Sequence, residues 1–412
     1  MPRTERWTSS LRRGVALALG AGALLVAAWI YLPAPNYFLL RFGVGAPEIS
    51  AWLILGSLVA LGLSLPDLRS GRRPIATACA VVALLLSLTP LARFPGTARR
   101  FDVAMHSALG GDPLRAAPES VRGSMRPRPL ILRDLFLGVP FPAALVARGL
   151  PVASPSGVPL TMNVYRPRRN GRFPILVQIY GGAWQRGNPD SFSNFAQWIA
   201  ERGYVVFSVD YRHAPRWRWP AQLDDVRLAL GWIHDHAPAY NADTARVALI
   251  GRSAGGHLAL MAAYTPGPLR ISAVISYYGP TDLVDAYFNP PHPDPLAIRG
   301  LEEALLGGTP REMPERYREA SPITLVTHRL PPTLLVYGGR DHTVEPRYGE
   351  RLAQRLTSSG TTAVYLRIPW AEHAFDEVFN GPSSQLALYH TERFLAWALS
   401  APDTRVLRPT TR

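Results

Sequence analysis

Lysine is missing from this 412-residue chain: all 44 basic side chains are arginine, set against 30 acidic ones, for a formal net charge of +14. Cysteine occurs once, at Cys79, so no disulfide framework is available. The absence of any cysteine beyond Cys79 fits an oxidising compartment. Charge is scarce, at 18% of residues against 47% hydrophobic, and that apolar share excludes an intrinsically disordered chain. A soluble domain carries about 25% charged residues, so part of this chain is expected to avoid water. A phosphate loop ending in Gly-Lys is excluded with the lysines. The arginines are dispersed through loops instead of forming one basic stripe, so a nucleic-acid partner is not expected.

The missing charge is concentrated near the N-terminus. Three runs, Gly14–Leu32, Ile49–Leu65 and Pro74–Leu91, are almost free of ionisable side chains. As helices of about 17 to 19 residues they would reach roughly 26 to 28 Å, close to the thickness of a bilayer core. A signal peptide would account for Arg12 and Arg13 before the first run, but it leaves two equally apolar runs without a role. Three membrane spans are therefore expected. Arg3, Arg6, Arg12 and Arg13 precede the first span and Arg69, Arg72 and Arg73 separate the second from the third, whereas only Arg41 stands in the first connection. The positive-inside rule then puts the N-terminus in the cytoplasm and everything after Leu91 outside it. Arg93, Arg99 and Arg100 pull the other way. Anionic lipid headgroups are the expected counterpart of the arginine excess.

The sequence divides into a membrane anchor over residues 1–95, a basic connector over 96–150 and an α/β domain over 151–400. Within the connector, Asp134–Arg148 is a candidate amphipathic helix lying on the membrane or over the domain behind it. Beyond it, Pro174–Tyr180, Tyr204–Asp210, Arg246–Gly251, Ile271–Gly279, Pro332–Gly338 and Thr362–Pro369 read as buried strands, with Thr161–Arg166 as a further strand near one edge. Helix-period segments lie between them at about Ser191–Arg202, Ala221–His236, Ala254–Tyr264, Glu345–Ser358 and Gln385–Leu399. Continuous apolar strands alternating with amphipathic helices predict a mostly parallel sheet covered on both faces. The segment 283–319 interrupts this rhythm and is expected to form a lid. Acyl preference would be set by that lid and by the region before Pro151.

Gly251-Arg252-Ser253-Ala254-Gly255 falls between a predicted strand and a predicted helix, the setting of a nucleophile elbow. Such a serine needs a base, and His373 follows the last predicted strand; the base needs an orienting acid, for which Asp341 leads Asp282 and Glu345. Tyr180-Gly181-Gly182-Ala183-Trp184 follows a predicted strand, and its small residues let backbone N–H groups approach a substrate. The N–H groups of Gly182, Ala183 and Ala254 are the candidate oxyanion hole. His234 and His236 lie at a helix end without a third ligand, and His257, one turn after Ser253, is read as a packing residue.

The region from about Pro151 to Leu399 resembles the α/β-hydrolase superfamily, in the esterase and lipase branch. That branch includes hormone-sensitive-lipase-like, kynurenine-formamidase-like and feruloyl-esterase-like enzymes. The resemblance rests on Tyr180 to Trp184 in place of the family's H-G-G-x-W, on Asp210-Tyr211-Arg212 with Ala214-Pro215, on Gly251 to His257, on Ser321-Pro322-Ile323, and on the Asp341 and His373 segments. It implies Ser253 as nucleophile, His373 as general base and acid, Asp341 as its orienter and the three N–H groups as the hole. Two departures stand out: Tyr180 replaces the family histidine, and Ala183 the third glycine of the H-G-G-G subset. Asp210 and Arg212 are expected to pair and steady that loop. The expected function is cleavage of a small acyl ester through an acyl-serine, at a lipid bilayer and without a cofactor or metal. An amidase, deformylase or acyltransferase on the same triad, and a non-catalytic binding module, are the alternatives. Nothing in the sequence bears on oligomeric state.

Overall fold

The computed structural model of the chain describes residues 3–69, 75–115, 117, 119–141 and 144–399. The N-terminal apolar runs become helices α1 (Arg3–Ala27), α2 (Tyr37–Glu48), α3 (Ser50–Arg69) and α4 (Ile75–Leu109). Three stretches, Thr8–Ile30, Ser50–Arg69 and Ile75–Leu109, are long and apolar enough to cross a membrane. The long helices α1, α3 and α4 pack on one another through small residues, among them Ala27, Ala60, Ala80 and Ala83, all fully buried. Their outward faces present leucine and valine, such as Leu25 and Leu85. Ser57 and Ser64 turn their hydroxyls back onto the carbonyls of Leu53 and Ala60 at 2.8 Å, so neither exposes an unpaired donor inside the bundle. At one end Arg12 of α1 pairs with Asp67 of α3 at 2.9 Å.

Helix α4 continues well past Leu91, the expected end of the third span. It is 35 residues long, about 52 Å at 1.5 Å per residue, well beyond a core of about 30 Å. Its second half carries a buried stripe, Phe94, Ala98, Phe101, Met105 and Leu109, that belongs to the core of the following domain. The stripe starts while the apolar run is ending, so the sequence shows no boundary there. The expected connector over 96–150 is thus helix at one end and sheet at the other. Between them lie α5 (Glu119–Arg122) and α6 (Leu132–Leu137), the latter stopped by Gly138 at φ +85° with Pro140 just beyond. The amphipathic helix expected over Asp134–Arg148 is therefore short, and its last residues already belong to a strand.

That strand is β1 (Leu145–Ala153), followed by β2 (Leu160–Arg166), β3 (Phe173–Ile179), α7 (Ser193–Glu201), β4 (Val205–Val209), α8 (Ala221–His236), β5 (Ala242–Arg252), α9 (Ala254–Tyr264) and β6 (Ala273–Tyr277). The chain then runs through α10 (Leu283–Phe288), α11 (Ile298–Leu306) and α12 (Pro314–Glu319) to β7 (Thr333–Gly338), α13 (Pro346–Ser358), β8 (Ala363–Ile368) and α14 (Pro382–Leu399). The strands form one sheet in the order β1-β2-β4-β3-β5-β6-β7-β8. Strand β2 is antiparallel to both its neighbours and the rest are parallel. The sheet begins at Leu145 and not at Pro151, and Thr161–Arg166 lies in its second strand, near one edge as expected. Strands β4 and β6 are buried along their whole length, as parallel strands covered on both faces must be. The carboxyl ends of β3, β5, β7 and β8 converge on one rim of the sheet, the usual ligand edge of such folds.

Candidate active site

Ser253 is the single residue between the end of β5 and the start of α9. It is held at φ 52° and ψ −123°, a backbone conformation that costs about 1–3 kcal/mol outside glycine and persists only where its surroundings enforce it. The flanking glycines do so. A Cβ on Gly251 would lie 2.0 Å from the Gly255 carbonyl oxygen, and one on Gly255 2.2 Å from that of Ile179. The turn therefore closes tightly against β3 and leaves Ser253 lining a cavity of about 860 Å³.

His373 reaches the same point from the segment after β8. Its Nε2 is 3.0 Å from Ser253 Oγ and its Nδ1 2.8 Å from Asp341 Oδ2. Asp341, in the turn after β7, is fixed by its other oxygen, which accepts the N–H groups of Thr343 and Val344 at 2.8 and 2.7 Å. The other two carboxylates weighed for this place are engaged elsewhere: Asp282 caps α10 and Glu345 pairs with Arg347. Burial disfavours the charged imidazolium of His373 and is the largest single influence on it. The summed effect of Asp341, Glu372 and Glu377 outweighs it, so the ring titrates above the ordinary histidine range.

Gly182, Ala183 and Ala254 line the cavity together with Ser253 and His373. Ala254 opens α9, where a first-turn N–H has no partner inside the helix. The turn after β3 is closed by the N–H groups of Gln185 and Arg186, both donating to the Gly182 carbonyl. Ala183 and Trp184 there adopt φ of 55° and 59°. Trp184 Nε1 donates to His257 Nδ1 at 3.2 Å, and His257 Nε2 lies 2.6 Å from the Ala320 carbonyl oxygen. Burial pushes His257 down to about 4, so it is a neutral packing residue.

Tyr180, which replaces the histidine of the resembled motif, is held by several partners. Its ring stacks on Tyr211, its hydroxyl donates to Asp210 at 2.6 Å, and His213 Nε2 lies 2.9 Å away. The expected Asp210–Arg212 pair does not form: Arg212 pairs with Asp225 of α8 at 2.8 Å, while Asp210 serves Tyr180 and the Tyr211 N–H. A buried tyrosine hydroxyl needs an acceptor, and Asp210 is the nearest of those around it.

Two groups beneath the site carry no sequence signal. Arg252, the variable residue of the serine turn, is 1% exposed; its guanidinium donates to Asp376 at 2.8 Å and lies over the rings of Phe192, Phe195 and Tyr277. The other oxygen of Asp376 accepts the Tyr278 hydroxyl, and the Tyr278 ring packs 4.6 Å from that of His373. Glu372 binds the N–H and ring of His342 at 2.6 and 2.5 Å and the N–H of His373 at 3.0 Å, tying the acid turn to the base turn.

The segment expected to form a lid supplies Ala286, Leu296, Ile298, Leu301 and Glu302 to the cavity wall. Glu302 is 2% exposed, and its Oε2 has no hydrogen-bond partner among the described residues. Burial, with Asp282 and Asp294 nearby, holds its carboxyl well above the usual range.

The protein-family profile described as BD-FAE matches residues 162–356. Two Mycobacterium tuberculosis proteins, a probable carboxylic ester hydrolase LipM and the esterase LipC, are each 32% identical, over 242 and 221 residues. These alignments cover 55% and 49% of this chain and 54% and 53% of theirs. The chain thus spans about half the length of these relatives. A solved hyperthermophilic esterase from the archaeon Pyrobaculum calidifontis superposes with a TM-score of 0.56 at 25% identity, covering 62% of this chain and 86% of that one. The domain has the α/β-hydrolase fold and is similar to esterases of the carboxylesterase branch. In this fold the sheet rim, the serine turn and the segment between β6 and β7 make one continuous cleft, to which the N-terminal block also contributes Tyr37, Leu40, Arg41, Val44 and Gly45.

Proposed function

We propose that this chain is a membrane-anchored serine hydrolase that cleaves carboxylic esters, with its catalytic domain outside the cytoplasm. The observation that carries the reading is His373 bridging Ser253 Oγ and Asp341 at 3.0 and 2.8 Å in a cavity beside the Gly182–Ala183 turn. In this mechanism His373 Nε2 takes the proton of Ser253 Oγ as the oxygen attacks the acyl carbon. The N–H groups of Gly182, Ala183 and Ala254 receive the oxyanion. His373 then returns the proton to the departing alcohol, leaving an acyl-serine. A water deprotonated by the same ring attacks that ester, and the carboxylic acid leaves as Ser253 recovers its proton. Asp341 keeps Nδ1 protonated and steadies the imidazolium. The esterases among the relatives support this chemistry.

Anchoring is supported by the three long apolar helices, and the orientation by the arginines that flank them. Ser253→Ala in membranes is expected to lower turnover of a short p-nitrophenyl ester by at least about a thousandfold while the protein stays folded; unchanged turnover would end the reading. Alkaline phosphatase fused at the C-terminus should be active, and activity only of a cytoplasmic reporter would reverse the orientation.

A further inference from the structure

One wall of the cleft does not come from the hydrolase domain. Helix α2 connects the first two long apolar helices, and its residues Tyr37, Leu40, Arg41, Val44 and Gly45 face the same cavity as Ser253 and His373. Asn36 caps the helix by accepting the Leu39 N–H at 3.0 Å. Tyr37, Leu40 and Val44 recur at helical spacing, so one stripe about 10 Å long runs along the cavity. Leu40 and Val44 form an apolar cluster with Ala34 that reaches Leu296 before α11. The cleft thus has α2 on one side and Ile298 and Leu301 on the other, with Leu296 closing it against α2.

The placement is fixed at several points. Arg186, two residues beyond the Trp184 turn, lies over the Tyr37 ring at 4.8 Å. The Tyr31 carbonyl accepts a hydrogen bond from Arg340, the residue before Asp341. Gly43 packs against Glu372, where a Cβ would sit 3.8 Å from the Glu372 Cγ, and Glu48 accepts the Ser383 N–H at 3.0 Å. Around α2 the surface is aromatic and apolar: Tyr31, Leu32, Phe38 and Trp52 are all exposed, with Phe38 at 65%. Such residues sit favourably at the level of lipid headgroups.

We propose that α2 is the acyl-chain wall of the active site, and that the substrate is a membrane-resident ester whose aliphatic chain enters between α2 and α11 from the bilayer surface. The proposal rests on reading Ser253 as the nucleophile and the long helices as spans. The anchor then does two jobs: it holds the enzyme at the membrane, and it completes the pocket that selects the chain. A chain passing between Val44 and Leu301 would leave water only for contact with protein, and each methylene would add to binding.

The test uses the full-length protein in phosphatidylcholine vesicles, with p-nitrophenyl acetate and p-nitrophenyl palmitate as substrates. Val44→Trp narrows the cleft and is expected to lower the palmitate-to-acetate ratio of kcat/KM by at least about tenfold. Val44→Ala, which adds no volume, is expected to raise it. Palmitate ester in the same vesicles as the enzyme should turn over faster than the same amount in separate vesicles. A ratio unmoved in both variants, with Ser253 still labelled by a small fluorophosphonate, would overturn α2 as the chain wall. Equal rates from same and separate vesicles would overturn entry from the bilayer. Failure of the wild type to label would instead remove the catalytic reading, and this proposal with it.

Discussion

Arg252 occupies the variable position of the serine turn, yet it is buried and paired with Asp376, whose other oxygen receives Tyr278 beneath the His373 ring. Removing one partner of such a pair leaves an uncompensated buried charge. Arg252→Met is expected to cost about 3–5 kcal/mol in chemical denaturation. It should also lower kcat more than it raises KM, because Tyr278 loses the support that fixes it against the base. On the proposed mechanism the pH profile follows from His373. Its folded pKa is raised, so the ring is protonated, and useless as a base, up to a pH above the ordinary histidine value of about 6.5. The acid limb of kcat/KM for a short ester should accordingly have its midpoint above that value. Asp341→Asn removes one of the charges that hold the ring up, so the limb should move to lower pH, while kcat falls by about 10⁴-fold. These residues were unequally legible. Ser253, His373 and Asp341 announce themselves because each follows a strand in a fixed order. Arg252, Asp376 and Glu372 act through contacts between segments far apart in sequence, and no spacing marks them.

Among the elements, the strands from β3 onward and the helices that alternate with them were readable to within a few residues, since the apolar runs alternate cleanly and α8 and α9 begin and end where their periodicity does, whereas β1 was not read as a strand. The resemblance at the β3 turn was readable too, but not the way Tyr180 would find Asp210 while Arg212 turned to α8. Helix α2 escaped notice because it sits between two apolar runs and has only Arg41 and a terminal Glu48 as ionisable groups. Its docking on α14 has a pH signature. Glu48 is buried against the helix N-terminus, where the dipole favours negative charge, yet burial dominates and its pKa is pushed up to about 8. A carboxyl raised in this way binds more protons folded than unfolded between its ordinary value of 4.5 and about 8. Stability therefore falls as pH rises through that window and levels above it. Thermal unfolding of the full-length protein in detergent should show this decline, and Glu48→Gln should flatten it. The second half of α4 is the other contact between the two parts. Phe101→Ala is expected to cost about 3–5 kcal/mol there, read as an earlier unfolding of the hydrolase in the same experiment.

Taken whole, the molecule is less divided than its composition suggests. A charge-poor block and an ordinary α/β domain can be seen in the residue counts, but their joint surface cannot, because apolar residues facing lipid and apolar residues facing protein look alike in a sequence. Phe94 to Leu109 and Tyr37 to Glu48 are the two places where that ambiguity hid a contact, and both bear on the cleft or on its supporting helix. The proposed chemistry stands on Ser253 as an activated nucleophile. The direct measurement is treatment of the full-length protein in vesicles with a fluorophosphonate, followed by mass spectrometry of its peptides. A single phosphonyl adduct is expected on Ser253, abolished in Ser253→Ala and strongly slowed in His373→Ala. A folded wild-type protein that remains unmodified, or one modified equally well after Ser253→Ala, would contradict it.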